Sequence, residues 1–184
     1  MLAIPVWRYH KQADWFWDSV SRAIVYFTGM EYVHVGIYYM NRLYESTVWR
    51  NSAGKLRTGI RVTEKGDKRV TPPDLCMVPW SFELTKERMD RIGCVLSQYV
   101  ESDRSYNILK LLVLAIVWPT RWIWKKLKWV PFNHEVFGEV CSGFVDEVML
   151  KSQWDLFPDA WEGYTVPGKF VNIPGWRVDS CSNV

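Results

Sequence analysis

The sequence predicts an α+β domain in which a small antiparallel sheet or partial barrel packs against helices. Two runs rich in β-branched and aromatic residues, 33–39 and 43–49, flank Met40-Asn41-Arg42 and read as a hairpin. Other stretches, notably 18–27, 84–100 and the one that opens at Cys141, carry apolar residues at helical spacing. No repeat, low-complexity tract or linker divides the chain, so residues 1–184 are expected to form a single domain. At 184 residues, 48% of them hydrophobic, the chain can bury a sizeable core of its own.

The first helix is expected over 18–27, where Val20, Ala23, Ile24 and Phe27 share a face behind an Asp18 or Ser19 cap and Gly29 ends the turn. The hairpin follows. Further strands are expected at 58–63 and 75–78, joined by Gly- and Pro-bearing turns such as Thr71-Pro72-Pro73-Asp74. Residues 84–100 place Met89, Ile92, Leu96 and Tyr99 on one face and Lys86, Glu87, Asp90 and Arg91 on the other, the pattern of a surface helix. Residues 108–118 are nearly all apolar but too short to span a bilayer, which needs roughly 20 residues, so a buried core helix is expected there. After Pro119, Trp122, Trp124, Lys125, Lys126, Lys128 and Trp129 alternate ring and charge, the composition of a basic loop or of a segment in contact with a membrane surface.

The formal net charge of +3 is modest and dispersed, so no nucleic-acid partner is called for. Cys76, Cys94, Cys141 and Cys181 form no CxxC pair and no tight framework, which favours free thiols and a reducing compartment. The N-terminus lacks the basic region and apolar length of a secretory signal. A cytoplasmic chain starting at Met1, or a membrane-peripheral one, is therefore expected, with the tail around Cys181 frayed. The histidines form no HExxH or Cys/His cluster, so neither a metal nor another cofactor is expected. Several of the 12 tryptophans, among them Trp7, Trp15, Trp17, Trp122, Trp124 and Trp161, fall where partial exposure is expected, the kind of surface a binding module would use.

Two distant segments carry the chemistry. Tyr32-Val-His34-Val-Gly36-Ile-Tyr38-Tyr39 reads as a strand, and Glu139-Val-Cys141-Ser-Gly143-Phe-Val-Asp146 as the start of a helix. A thiol becomes a strong nucleophile only as the thiolate, which a nearby base and the positive end of a helix both favour. Cys141 precedes the apolar face Phe144, Val145, Val148 and Met149, so it falls in the first turn, where free backbone N–H groups can also hold an oxyanion. Ser142 and Gly143 leave the approach unhindered. Cys94 and Cys76 lie inside regular elements and Cys181 in the tail, settings that offer no activation.

Among the histidines, His10 lies in a polar stretch without a partner motif and His134 is the rival nearest Cys141 in sequence. His34 sits in a strand beside Gly36, which permits close approach of another backbone or of a substrate. Glu45 is the candidate that fixes the histidine's orientation, as a triad requires. A turn with Met40 opposite Asn41 sets Glu45 opposite Gly36 and Thr47 opposite His34 on one face. One residue of slip sends Glu45 to the other face.

Thr28-Gly29, His34-Val-Gly36-Ile37, Tyr44-Glu45-Ser46, Tyr106-Asn-Ile-Leu, Cys141-Ser-Gly-Phe and Thr165-Val-Pro167, in this order over about residues 18–170, resemble the circularly permuted papain-like hydrolases of the YiiX and YaeF type, within the NlpC-like superfamily. The resemblance implies a papain-like core, Cys141 as nucleophile, His34 as base, Glu45 as its orienting group and Tyr106 lining the site. It further implies hydrolysis of an amide (peptide-like) or ester bond through an acyl-enzyme. Members of that family are often exported, and a compact version without an export signal fits a viral or phage protein. Related permuted folds act on lipids, which makes a lipid-directed acyl hydrolase or acyltransferase the alternative. A non-catalytic binding or structural module on the same fold is the third reading.

Overall fold

The chain begins in the middle of its sheet. The computed structural model describes residues 1–11, 15–51, 53–67, 70–80, 83–102, 140–158, 165–179 and 181. Its first element, β1 (Leu2–Arg8), has partners on both edges and carries no signal that the sequence reading picked up. Leu2, Ile4 and Val6 enter one apolar cluster while Ala3 and Trp7 enter another on the opposite face. A strand covered on both faces reads as a continuous apolar run and loses the period of two. Pro5, a residue usually confined to sheet edges, sits opposite Cys76 and accepts a 3.1 Å hydrogen bond from the Gly36 N–H.

The remaining elements are α1 (Trp15–Thr28), β2 (Tyr32–Val35), β3 (Ile37–Tyr39), β4 (Arg42–Arg50), β5 (Leu56–Glu64), β6 (Leu75–Pro79), α2 (Lys86–Glu101), α3 (Cys141–Lys151), a 3-10 helix (Pro167–Asn172) and β7 (Trp176–Asp179). The strands are ordered β5-β4-β3-β1-β6-β7, with β2 also beside β1, and every described pairing is antiparallel. The α+β class with a small antiparallel sheet and a few helices is therefore what the chain adopts. Among the described residues no helix is long and apolar enough to cross a membrane.

Local chemistry accounts for the boundaries. Met40 (φ 46°) and Asn41 (φ 63°) form a two-residue turn whose twist matches that of the flanking strands, pairing Tyr39 with Arg42. Helix α1 starts at Trp15, so Asp18 lies in its first turn instead of capping it. There Asp18 accepts from the Tyr9 hydroxyl at 2.8 Å and pairs with Arg22 at 2.9 Å. Gly29 closes the helix at φ 68°, its N–H on the Val25 carbonyl at 2.9 Å. Thr85 caps α2 by accepting from the Arg88 N–H, and Ile92, Val95, Leu96 and Tyr99 turn inward to the sheet and α3.

Two expectations from composition are corrected. Cys76 and Cys181 form a disulfide, with Cα atoms 5.2 Å apart across a separation of 105 residues, so the tail is tied to β6 and only Cys94 and Cys141 remain free among the described residues. Such a pair has no short spacing to betray it. The antiparallel pairing of Cys76 with Asp179 delivers Cys181 to it. Trp7 is buried, not surface-exposed, its indole N–H on the Thr71 carbonyl at 2.7 Å. Tyr106, His134, Trp161, the apolar run 108–118 and the segment with Trp122, Trp124, Lys125, Lys126 and Lys128 lie outside the described residues, as do the side chains of Trp15 and Trp17.

Candidate active site

The site forms where one strand splits in two. At Gly36 the chain ends β2, which pairs with β1, and begins β3, which pairs with both β1 and β4. The pairing of Ile37 with Tyr44 sets Gly36 and Glu45 as the next facing positions, but the ladder stops there. The expected pair of Thr47 with His34 does not form: Thr47 faces Gly59, and His34 faces Trp7. Helix α3 packs against both β2 and β4. A Cβ at Gly36 would lie 3.0 Å from the Tyr44 carbonyl oxygen and 3.3 Å from Glu45 Cγ. The glycine thus admits the close approach of the β4 backbone.

His34, Glu45 and Cys141 come together around this split. His34 Nε2 lies 2.9 Å from Glu45 Oε1. Cys141, at the start of the helix that packs against β2, is the other group that acts on this ring. With Nε2 taken by Glu45, Nδ1 is the ring nitrogen left for the sulfur. The other carboxylate oxygen, Oε2, accepts from Arg61 Nε at 3.1 Å and Nη2 at 2.6 Å. Arg61 is the direct partner of Glu45 across β4 and β5. Sequence reasoning missed it, although an arginine between Ile60 and Val62 in a strand run was a signal that its side chain needs a partner.

Burial sets the electrostatics. Glu45 is 2% exposed and Cys141 3%, while the His34 side chain keeps 23% of its surface. Burial alone would depress the pKa of His34, yet the charges and hydrogen bonds of Cys141 and Glu45 outweigh it and raise the imidazole to about 10. Burial likewise pushes the Glu45 carboxyl up, and hydrogen bonds and charge from His34 and then Arg61 bring it below its usual value. The Trp7 ring covers His34, centroid to centroid 5.0 Å and tilted by 46°.

Cys141 is the first residue of α3, after Val140 as N-cap, and the helix's first internal bond runs from the Phe144 N–H to the Val140 carbonyl at 2.8 Å. The N–H groups of Cys141, Ser142 and Gly143 therefore have no acceptor within the helix, and its positive end lies at the sulfur. Phe144, Val145, Val148 and Met149, all 0% exposed, fix the helix on the sheet. Thr165, buried in the Thr165-Val-Pro167 segment, donates to Asp146 of α3 and ties the C-terminal segment to the same helix. Ser142 is buried beside Cys141. His10 is exposed and lies 3.0 Å from Asp74.

A cavity of about 600 Å³, whose walls include Tyr38, Leu43, Val70 and Cys181, has neither Cys141 nor His34 among its lining residues. Among the described residues no group of His, Cys, Asp and Glu side chains is arranged to hold a metal ion. No family model matches this chain, and neither a curated protein nor a solved structure is significantly similar to it.

Proposed function

We propose that the chain is a thiol hydrolase acting on an amide (peptide-like) or ester bond, with a permuted papain-like order of histidine before cysteine. One observation carries the reading: a single imidazole bound to a buried carboxylate and interacting with the thiol at a helix N-terminus. An imidazolium at His34 is the counter-charge that a Cys141 thiolate needs. In the first step the sulfur lone pair attacks the substrate carbonyl carbon, and first-turn N–H groups of α3 hold the oxyanion. As the tetrahedral intermediate collapses, the bond to the leaving amine or alcohol breaks and His34 gives that group its proton.

Acylation then changes the histidine's environment. The charge of Cys141, the strongest influence raising the His34 pKa, vanishes when the sulfur becomes a thioester. Burial now acts with less opposition, and His34 becomes the base that takes a proton from water as the water attacks the thioester. The same imidazole thus serves as acid and then as base without moving from Glu45.

The test is labelling by a cysteine-directed probe in a Cys94→Ser background, since Cys94 is a second, exposed free thiol. Labelling of Cys141 in the intact site, lost in Cys141→Ala and strongly reduced in His34→Ala, is expected. Equal labelling in the His34→Ala protein would show that Cys141 is not activated. The lipid-directed alternative depends on the Trp and Lys side chains of 121–129, outside the described residues, and flotation with anionic vesicles decides it. A binding module on this fold would keep its partner in Cys141→Ala and show no turnover in either form.

A further inference from the structure

We propose that Arg61 is the positioning residue of this site, holding Glu45 in the charge state and orientation that keep His34 aimed at Cys141. The proposal rests on the thiol-hydrolase reading and deepens it. A carboxylate as buried as Glu45 does not stay ionised unless it is paired and hydrogen-bonded. Here the two oxygens are divided: His34 takes Oε1 at 2.9 Å, and two nitrogens of one guanidinium take Oε2 at 3.1 and 2.6 Å. Rotation of the carboxylate would break both sets of bonds at once.

The base of this arrangement is stiff. Glu45 and Arg61 face each other within a continuous ladder from Arg42 with Glu64 to Arg50 with Leu56, so neither backbone moves independently of the other. The titratable and charged groups that act on Glu45 among the described residues are His34 of β2, Tyr38 of β3 and Arg61 of β5, with Cys141 of α3 beyond the imidazole. Within this set it is Arg61 that bonds to the Glu45 oxygen His34 does not take. Stability alone does not distinguish the role, because a buried ion pair replaced by an apolar side chain can leave stability unchanged.

The experiment compares Arg61, Arg61→Met and Arg61→Lys proteins, all carrying Cys94→Ser, by the rate of Cys141 alkylation with iodoacetamide across pH. Without the guanidinium, burial of Glu45 is opposed by His34 alone. In Arg61→Met the acid limb should move up by about one pH unit and the plateau rate fall about tenfold. Arg61→Lys should restore the limb through its charge but not the plateau, since a point charge cannot form the two-nitrogen clamp. An unmoved limb and plateau in Arg61→Met overturn the proposal. Should that variant fail to fold, an Arg61→Lys plateau equal to that of the arginine protein overturns it instead.

A second measurement needs no reaction. In Cys141→Ala protein, the downfield Nε2 proton of His34 followed by NMR should persist to lower pH with Arg61 than with Arg61→Met. Equal persistence overturns the role of Arg61 even if the thiol proves inert. A difference combined with an inert thiol in the intact site supports the role of Arg61 and overturns the hydrolase reading alone.

Discussion

Trp7 and His34 are direct cross-strand partners on β1 and β2, their ring centroids 5.0 Å apart. Trp7 is also pinned at its far end by the Thr71 carbonyl, so the ring is held as a fixed wall beside the imidazole. A wall of this kind keeps water from competing for the bond between His34 and Glu45, and the low local dielectric strengthens that bond. Trp7→Ala should therefore cost about 3–5 kcal/mol of stability and slow Cys141 alkylation. Trp7→Phe should retain most of the rate while losing the indole bond. Urea titration and alkylation kinetics check both, and an alanine variant as reactive as the parent would leave the ring with a packing role only.

The raised pKa of His34 gives stability a definite pH dependence. Burial acts to lower it, Cys141 and Glu45 to raise it, and the net value is about 10 against 6.5 in a free imidazole. Between those values the folded chain holds a proton that the unfolded chain has released. The stabilisation is therefore complete below about pH 6.5 and is lost as pH rises through about 10. Its size is on the order of 2–4 kcal/mol. Denaturation midpoints across this window should fall for the parent and lie nearly flat for His34→Asn. Parallel slopes for the two proteins would count against the pairing.

Gly36 offers a more local test. The β carbon of Gly36→Ala would press on the Tyr44 carbonyl at 3.0 Å, on Leu43 Cδ1 at 3.1 Å and on Glu45 Cγ at 3.3 Å. The first of these is backbone and gives way only if β4 shifts. A loss of about 1–3 kcal/mol is expected, together with slower alkylation of Cys141, because the displaced segment carries Glu45. A variant that loses stability but keeps its alkylation rate would show that the carboxylate follows the histidine and not the strand.

The legible parts of the molecule were those with local signals. The turn at Met40 and Asn41 set the pairing of β3 with β4, and hence the face of Glu45, because a two-residue turn fixes register for as long as the two strands remain paired. Its reach ended at Gly36, beyond which β2 pairs with β1, so Thr47 does not face His34 although Glu45 still bonds to its ring. Cys141 at a helix start was readable from the apolar face that follows it. β1 was not, since burial on both faces erases alternation and Pro5 argues against an interior strand. Arg61 and the Cys76 to Cys181 bond depend on which distant strands become neighbours, information that no local window holds.

That disulfide supports the last prediction. Cys76 is fully buried in β6 between β1 and β7, and Cys181 packs among Trp7, Tyr38 and Leu43 on the face opposite the main core. The bond closes a loop spanning a separation of 105 residues, and a cross-link of that length removes about 4–5 kcal/mol of chain entropy from the unfolded state in the entropic account. Cys181→Ser should lower the denaturation midpoint markedly, with β7 exchanging its amide protons first, since its only described strand partner is β6. The alkylation rate of Cys141 in the folded variant should hardly change, because neither sulfur of the bond belongs to the cluster around His34. Denaturation of the purified chain without reductant should expose two reactive thiols, at Cys94 and Cys141, and a linked peptide containing Cys76 and Cys181. Four reactive thiols would instead place the chain in its reduced form and remove the tie between β6 and the tail.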